Sequence, residues 1–351
     1  MAVDRLDLSA FRDDYGRTGS PAYAPALLLK VILYETREGR HSPASWRRSA
    51  RSSEPVRWLL RGGEPSRSCW YAFRDRIAPY LEDWNRQVLA QAVAQGRTPA
   101  QRGALDGTTI AADASRRRLL DEATLQRREE ELRQAKAAAP AAAQRPGWMA
   151  PTPEGRRRQE ERLGRARERR DQLQRRNAGK RASKRKKRER IVVSPSDPEA
   201  ALGRDKEGVF RLTYAGASRQ KRSSPETISL QLYRCATEHC QACPLRSRCT
   251  PRSQQGRTIS RSEHEELSEA LQTRMATAEA KELYRLRGRT VELVNADWKT
   301  HRKLRRFAGR GVKKARCQVG VLVLSQNLLA LLTAERNDEK AAVANHSEIA
   351  A

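Results

Sequence analysis

The stretch 156–190 constrains the fold most, because it offers almost no apolar surface that a core could bury. Of its 35 residues, 18 are Lys or Arg and five are Asp or Glu. The part through Arg176 contains helix formers and opposite charges four residues apart, such as Glu161 and Arg165, a spacing that supports a solvated helix. We predict a helical hairpin between this part and the helix before it. The part from Lys180 to Arg190 has no apolar side, so we predict a disordered basic tract there.

The positive charge extends beyond that stretch. The 351 residues include 71 Lys+Arg and 42 Asp+Glu, a formal net charge of +29. This excess argues against an ordinary metabolic enzyme and indicates a polyanionic partner, with nucleic acid ahead of acidic lipid. The sequence has no run of 18 apolar residues, and its first residues are too acidic and polar for a signal peptide. We therefore expect no membrane span and a cytoplasmic location.

Composition and periodicity divide the chain into six predicted segments. The first is a helical domain at residues 1–95, whose short helices and many arginines fit either a helix-turn-helix module or a plain helical bundle. An Ala- and Pro-rich stretch at 136–154 indicates a linker. The other five segments are short core strands at 96–116 and 191–232, a charged helical insertion with the basic tract at 117–190, a Cys-rich segment at 233–260, a C-terminal helical part at 261–336 and a frayed tail at 337–351.

Local signals predict individual elements within these segments. A helix begins at Pro25 and ends at Gly39. Ser262 and Glu265 have the spacing of a capping box, which predicts one long helix over 262–287. Further predictions are a cap at Ser42, an apolar patch at 56–60 that includes Trp58, a cap at Ser66 or Ser68, strands at 104–113, 207–216 and 227–233, and helices at 290–306 and 313–334.

Four of the six cysteines fall within fifteen residues of polar sequence, separated by four, two and five intervening residues. They are Cys235, Cys240, Cys243 and Cys249. Four thiolates can close a tetrahedral zinc site, and the pair two residues apart is typical of a zinc knuckle. The alternative is four free thiols in a polar loop. A site filled by four protein ligands has no open position, so its zinc would be structural; Cys69 and Cys317 lie in apolar sequence and are predicted to be core residues.

Two acidic residues are candidates for phosphoryl-transfer chemistry, which uses two or three carboxylates to hold divalent cations at a scissile phosphate. Asp106 lies in the strand-like run 104–113, where the alternative is an ordinary turn aspartate before a glycine. Glu292, on a predicted helix, shares a face with Arg289 and Lys299, where the alternative is a surface stripe of ion pairs. The spacing of these residues alone does not decide between the metal site and its alternatives.

Four stretches together carry a family resemblance. They are Ser20–Pro25 with Leu27–Lys30 and Val56–Leu59; Leu105–Ile110; Tyr233–Thr250 with Gly256–Ile259; and Arg274–Lys281 with Tyr284, Arg287, Thr290–Glu292, Lys299 and Leu304–Phe307. Through these stretches the chain resembles bacterial insertion-sequence transposases of the DDE type over most of residues 20–335. The third and fourth stretches are the specific ones.

The resemblance implies a mostly helical α/β fold. A helical N-terminal DNA-binding domain would precede a reduced ribonuclease-H-like core, which would carry the charged insertion and a C-terminal helical section. The resemblance also implies that Asp106 and Glu292 are catalytic and ligate Mg²⁺ or Mn²⁺. The partner that it implies is double-stranded DNA at transposon ends. It also implies that this chain is associated with the nucleoid. The DNA-binding residues that it implies are Arg287, Arg289, Lys299, Arg305 and Arg306.

One part of the family pattern is missing. The second catalytic Asp of such transposases lies in a short Asp-Gly-Gly-Tyr-like motif, and this sequence contains none. Only Ala215–Leu232 separates the strand near 207–214 from the cysteines, so we predict an internal deletion that removed the motif. Asp197 and Asp205 are nearby in sequence, but neither follows a clear strand and neither is assigned the missing role.

Three functions follow as alternatives. The first is a transposase-like DNA-binding protein of an insertion sequence, with metal-dependent strand transfer in the intact family. The second is a catalytically inactive remnant that binds DNA ends, or pairs with a second copy or an intact transposase. The third is an RNA-associated basic zinc protein, which would need aromatic stacking platforms, although aromatic residues make up only 5% of the chain.

Overall fold

The computed structural model describes residues 2–13, 23–98, 108–137, 145–180, 182–204, 209–214, 230–250, 256–287, 290 and 292–349. Within these ranges the chain forms fourteen α-helices and four short strands, which confirms the prediction of a mostly helical protein. The chain divides into two compact units, the first of Met1–Ala217 with Val294–Ala351 and the second of Ser218–Leu293.

Six helices form the N-terminal part of the first unit. They are α1 (Ser9–Asp13), α2 (Pro25–Arg37), α3 (Pro43–Ser52), α4 (Glu54–Leu59), α5 (Arg67–Ile77) and α6 (Leu81–Ala94). Pro25 opens α2, and Gly39, at φ 74°, lets the chain turn away after it. The hydroxyl of Ser42 accepts the backbone N–H of Ser45 at 3.1 Å and completes a capping box at α3. Ser66 caps α5 in the same way, so these predicted helices are confirmed.

The core of these helices includes the C-terminal helix of the chain. Trp70 and Trp84 are buried there, and Phe11 meets Trp84 edge to face with 5.7 Å between the ring centroids. The long helix α14 (Val312–Ile349) packs along α2, α5 and α6. It contributes five buried side chains to this core, namely Cys317, Val321, Leu324, Leu328 and Leu331. The first and last parts of the sequence therefore fold around one apolar cluster.

Helix α14 is longer than predicted. Its part Val312–Val343 is long and apolar enough to cross a membrane, judged by length and composition alone. The core helix of a folded domain has the same profile, and 33% of the apolar stretch of α14 is buried, including the five side chains of the shared core. The helix continues to Ile349, through the tail at 337–351 that we predicted to be frayed. Five of the fifteen residues of that tail are Ala, the strongest helix former.

Helices α7 (Glu122–Ala137) and α8 (Pro153–Ala178) form the helical hairpin expected from the charged stretch. Ion pairs join the two helices, including Arg170 with Glu122 at 2.9 Å. A small apolar cluster lies between them, formed by Leu120, Leu125, Leu132, Met149, Leu163, Ala166 and Val193. The hairpin is thus held by a small apolar cluster and by ion pairs between its helices.

The stretch 136–154, predicted as a linker, packs in part on this hairpin. Met149 is buried in the hairpin cluster. The indole N–H of Trp148 donates to Glu131 at 2.6 Å, and the guanidinium of Arg128 lies over its ring, 4.9 Å from the centroid. Trp148 and Met149 supply an apolar surface within this Ala- and Pro-rich stretch. Its average composition therefore did not indicate that it packs on the hairpin.

The basic tract after α8 differs from the predicted disorder in its described residues. It contains two short turns, Ala182–Lys184 and Arg188–Arg190. The side-chain amide of Asn177 donates to the carbonyl of Lys186 at 2.8 Å and accepts its N–H at 2.9 Å. A salt bridge to Glu122 anchors the second turn. These polar anchors replace the apolar side that the tract lacks.

A small antiparallel sheet follows the hairpin. Strand β1 (Ala201–Arg204) pairs with β2 (Phe210–Thr213), which lies within the strand predicted at 207–216. Ala111 forms one antiparallel bridge to β2 and one parallel bridge to Arg306. Among the described residues of the strand predicted at 104–113, only Ala111 therefore forms bridges to other segments. Strand β1 was not predicted, because its Ala-Leu-Gly-Arg sequence has no alternating pattern.

The segment before α14 contains a shorter helix than predicted. Helix α13 spans Leu293–Thr300, whereas the sequence predicted a helix over 290–306. The chain leaves the helix after Thr300, and the side chains of Leu304 and Phe307 are buried beside Ile110. This apolar contact, rather than helical structure, fixes the end of the segment next to Ala111.

The second unit contains a two-stranded antiparallel sheet and four helices in its described residues. They are β3 (Leu230–Arg234), β4 (Thr258–Ser262), α9 (Thr237–Ala242), α10 (Arg246–Cys249), α11 (Glu265–Ala276) and α12 (Ala278–Arg287). The single helix predicted over 262–287 is wrong, because Thr277 adopts an extended backbone with ψ 152° between α11 and α12. Ser262 ends β4 and does not cap α11, although its hydroxyl donates to Glu265 at 3.2 Å.

Candidate nucleic-acid interface

An arginine-lined cavity of about 380 Å³ lies next to the bridge at Ala111. Three chain segments converge on it: the residues that follow Ala111, strand β2, and the segment before α14. Its charged lining consists of the carboxylate of Asp113 and five exposed arginines. The arginines are Arg116, Arg117, Arg211, Arg306 and Arg310. Guanidinium groups form forked hydrogen bonds that match phosphate oxygens, so this lining suits a phosphate-bearing ligand.

Backbone hydrogen bonds at Ala111 fix one side of the cavity. The N–H of Ala111 donates to the carbonyl of Arg305 at 3.2 Å, and its carbonyl accepts the N–H of Phe307 at 2.9 Å. The side chain of Phe307 is buried in a cluster with Ile110. Arg306, between the two bonded residues, is therefore held beside the cavity by a rigid backbone.

A three-residue turn places two further arginines. The hydroxyl of Ser115 accepts the N–H of Arg117 at 3.3 Å, which starts the turn Arg116–Arg118. The guanidinium of Arg116 donates to the carbonyl of Phe210 in β2 at 3.4 Å. Because a guanidinium has five N–H donors, this single bond orients Arg116 and keeps donors for a ligand.

The carboxylate of Asp113 does not balance the positive charge of the cavity. Arg310 donates through Nε to the backbone carbonyl of Asp113 at 2.8 Å and lies 3.6 Å from its Oδ2. Both side chains are about half exposed, so water screens the pair and it adds little to stability. In the described lining, one carboxylate faces five guanidinium groups, an excess of positive charge that would attract a polyanion.

The structure locates part of the predicted site. Arg306 lines the cavity, and Arg305 contributes the carbonyl that bonds Ala111. Lys299 is half-buried on α13 in the first unit, whereas Glu292 is exposed and belongs to the second unit. Outside the described residues lie Asp106, Arg289 and the side chain of Arg287. Resemblance alone pointed to Arg306, and the other four arginines of the cavity were not singled out.

Asp197, which was not assigned a role from the sequence, is buried at the start of α14 with 2% exposure. Tyr214 donates its hydroxyl hydrogen to Asp197 Oδ2 and accepts the N–H of Gly311 at 2.8 Å. Glu199 accepts the N–H of Val312 at 2.7 Å. These acceptors satisfy N–H groups of the first helical turn and place negative charge at the positive end of the helix dipole.

This arrangement raises the pKa of both the Asp197 carboxyl and the Tyr214 hydroxyl. Burial raises the pKa of the Asp197 carboxyl above its usual value, against the opposing effect of the hydrogen bond from Tyr214. Burial, together with the neighbouring Asp197, also raises the pKa of the Tyr214 hydroxyl. Asp197 therefore acts as a helix cap. No local signal marks this cap, because Asp197 and Gly311 are 114 residues apart in the chain.

A second basic surface lies on the N-terminal helices. Trp58, predicted to be part of an apolar patch, is 72% exposed on α4, so this part of the prediction is wrong. Val56 and Leu60 of the same patch are buried, because they lie on the opposite face of this short helix. Four exposed arginines come from α3, α4 and the turn after α4, namely Arg48, Arg51, Arg57 and Arg61. This combination suits contact with nucleic acid as well.

No described residues form an acidic metal site. Across the ranges that the structure describes, no three His, Cys, Asp or Glu side chains are arranged to hold a metal ion. Two-metal phosphoryl transfer needs such a set of carboxylates. No reaction step is therefore assigned to Mg²⁺ or Mn²⁺.

Comparison with known proteins bears on the second half of the chain. Residues 211–332 match the family model described as Transposase DDE domain. This match supports a DDE-type transposase family. The transposase match begins at Arg211 of the cavity and includes Arg306 and Arg310, the second unit, and α14 as far as Leu332. No curated protein and no solved structure gives a significant match to the chain.

Proposed function

We propose that the chain is a transposase-like DNA-binding protein of an insertion sequence, and that the arginine-lined cavity holds the phosphate backbone of duplex DNA. The observation that carries this proposal is the position of the cavity. Three of its five arginines, Arg211, Arg306 and Arg310, lie within the residues that match a transposase DDE domain. A formal net charge of +29 would supply the long-range attraction to DNA.

We propose that DNA contacts two surfaces, the arginine-lined cavity and the N-terminal helices. Guanidinium groups at the cavity would bind phosphates, which positions a protein on DNA without reading its sequence. The N-terminal helices, with Trp58 and the arginines of α3 and α4, would contact the transposon ends. Lys299 and Arg305 would add phosphate contacts. We propose the cytoplasm, in association with the nucleoid, as the location of such a protein.

We further propose that this chain binds DNA without cleaving it. Asp106 and Glu292 are the two carboxylates that would ligate Mg²⁺ or Mn²⁺, and the sequence contains no Asp-Gly-Gly-Tyr-like motif for the second Asp. Loss of one acidic ligand disables a two-metal site, because both ions need fixed carboxylates. A remnant of this kind would compete for DNA ends or pair with an intact transposase.

The binding proposal is tested with a labelled duplex and a salt titration. Each phosphate contact contributes about −0.9 to the slope of log K against log salt concentration. The double variant Arg306→Ala with Arg310→Ala should reduce the magnitude of the slope by about 2. The matched control, Arg86→Ala with Arg133→Ala, removes two exposed arginines on α6 and α7 and should leave the slope nearly unchanged. Equal slopes for the two double variants would reject the cavity as the DNA site.

Competition separates duplex DNA from RNA. An unlabelled duplex should displace the labelled DNA at lower concentration than a single-stranded RNA of equal length. The reverse order would favour the RNA-associated alternative, in which bases stack on aromatic side chains.

The cleavage proposal needs DNA that carries the ends of the insertion sequence. We expect no 3′-hydroxyl product with Mg²⁺ or Mn²⁺. Metal-dependent cleavage that is lost in both Asp106→Ala and Glu292→Ala would show that another carboxylate has replaced the missing one, and the remnant proposal would then be wrong.

A further inference from the structure

The second unit buries almost no apolar surface in its described residues. Cys240, at 9% exposure, is the single buried side chain of the unit in those ranges. Apolar side chains of its sheet point into solvent, with Leu232 at 69% and Ile259 at 56% exposure. Small units that cannot bury a core are usually stabilised by disulfides, metal ions or association. This unit therefore needs a stabilising element other than an apolar core.

The one buried side chain belongs to the four-cysteine cluster. Its sulfur accepts the backbone N–H of Arg257 at 3.2 Å, and Arg257 also accepts the N–H of Cys235 through its carbonyl at 2.8 Å. These two bonds join the start of the cysteine segment to Arg257, the residue before strand β4. An N–H group directed at sulfur stabilises a thiolate, which is the form that binds metal.

The other cysteines of the cluster interact with one another. The thiols of Cys235 and Cys240 share a hydrogen bond, and Cys243 and Cys249 are close enough to Cys235 to act on it electrostatically. A turn brings Cys243 back toward Cys240, whose carbonyl accepts its N–H at 3.4 Å. Cys249 is the last residue of α10. Backbone structure thus gathers four thiols that are 14 residues apart at most in sequence.

We propose that Cys235, Cys240, Cys243 and Cys249 bind one structural Zn²⁺ that takes the place of an apolar core in this unit. The sulfurs do not yet surround one point, since no three described ligand side chains are arranged for a metal. Cys235, Cys243 and Cys249 are exposed, so their side chains can rotate toward Cys240 without displacing packed neighbours. Four thiolates in tetrahedral geometry select zinc over the hard cations Mg²⁺ and Ca²⁺.

The ion would link three elements that otherwise share few contacts. It would join Cys235, the residue after β3, to Cys240 on α9, Cys249 on α10 and Cys243 between these two helices. The site is closed, so it contributes folding energy and offers no position to a substrate. The proposal does not depend on DNA binding and can fail or succeed independently of it.

The experiment uses the full chain, purified with reducing agent and without chelators. Elemental analysis should find about one zinc per chain. The double variant Cys240→Ser with Cys243→Ser should lose it, whereas the matched control Cys69→Ser, which changes a partly buried cysteine of the helical core, should keep it. Absence of zinc from the wild type, or its retention in the double variant, would overturn the proposal.

A second measurement remains informative if the double variant does not fold. Titration of the wild type with a mercurial reagent should release the zinc as four thiols react. Chelation should expose residues 230–287 to protease while tryptophan fluorescence stays constant, because all six tryptophans lie outside the second unit. Added zinc chloride should restore protection. Unchanged proteolysis after complete zinc removal would show that the ion does not stabilise this unit.

Discussion

The two units of the chain differ in how much apolar surface they bury. In the first, Phe11, Trp70 and Leu324 are each 0% exposed. In the second, Cys240 alone is buried among the described residues, and Leu267 is 71% exposed. Stability is therefore unevenly distributed along the sequence. A region with few buried contacts opens at lower free energy than a packed core, so the second unit should unfold first and without the first.

The largest effect is expected from Leu324→Ala in α14. This side chain is 0% exposed in the core that α14 shares with the N-terminal helices. Loss of a fully buried leucine leaves a cavity and costs about 2–5 kcal/mol. Urea unfolding followed by tryptophan fluorescence measures this cost, since the signal reports on the first unit alone.

The control for this substitution is Leu332→Ala on the same helix. Leu332 is 37% exposed, so its truncation should cost clearly less than that of Leu324. Equal costs would mean that α14 does not pack on the N-terminal core as described, and the contrast between the two units would disappear.

Glu122→Gln should have the next largest effect, on the helical hairpin. Arg170 is 0% exposed, and Glu122 neutralises it at 2.9 Å while also pairing with Arg188. Removal of the carboxylate leaves a buried charge without its counterion, at a cost of about 3 kcal/mol. Urea unfolding followed by far-ultraviolet circular dichroism measures it. Glu130→Gln, which breaks the exposed pair with Arg133, should change stability by less than about 1 kcal/mol.

The same carboxylate gives the hairpin a pH dependence. The hydrogen bond from Arg188 is the main cause that lowers the pKa of Glu122 below its usual value. The folded state therefore releases this proton more readily than the unfolded chain. The stabilisation is complete above the pKa of the unfolded state and is lost as the pH falls through the folded pKa. Glu122→Gln should abolish this dependence.

Several N-terminal helices of the first unit could be predicted from sequence because their ends are encoded locally. Pro25 and Gly39 delimit α2, and Ser42 and Ser66 cap the helices that follow them. Signals of this kind act within one turn, so they are readable without the tertiary structure. Trp58 shows the limit of such reasoning, since an apolar residue near a helix was expected to be buried and is exposed.

Features set by distant residues could not be predicted. The cap at α14 joins Asp197 to Gly311 across 114 residues, and the turns of the basic tract depend on Asn177 and Glu122. In both cases a tertiary contact outweighs the local pattern. The break at Thr277 is different, because its hydroxyl accepts the N–H of Ala280 at 3.2 Å, a local cap within a stretch whose helix propensities continue across it.

The candidate site could be predicted only in part, because it too depends on contacts between distant residues. Resemblance to a family singled out Arg306, whereas Arg116 and Arg211 meet it only because Ala111 bridges β2 and the segment before α14. A single bridge leaves no periodic signal in the sequence. The positive charge of the chain predicted a polyanionic partner but not where that partner binds.

A smaller effect is expected from Asp197→Asn, and it depends on pH. Burial raises the pKa of this carboxyl, so the folded state holds the proton to higher pH than the unfolded chain does. The contribution of Asp197 to the free energy of unfolding is greatest below the unfolded pKa and falls as the pH rises through the folded pKa. Unfolding curves of wild type and variant between about pH 3 and about pH 8 should therefore diverge. A constant difference at every pH would show that the carboxyl titrates alike in both states.

The smallest effect should come from Leu267→Ala in the second unit, the counterpart of Leu324→Ala in the first. Leu267 is 71% exposed on α11, so its truncation removes no packing contact and should change stability by less than about 0.5 kcal/mol. Hydrogen exchange of α11 and α12 measures it, since this unit contains no tryptophan. A cost close to that of Leu324→Ala would mean that Leu267 is buried in solution against a second copy. In that event protection of α11 should rise with protein concentration, and association rather than zinc would be the stabilising element of this unit.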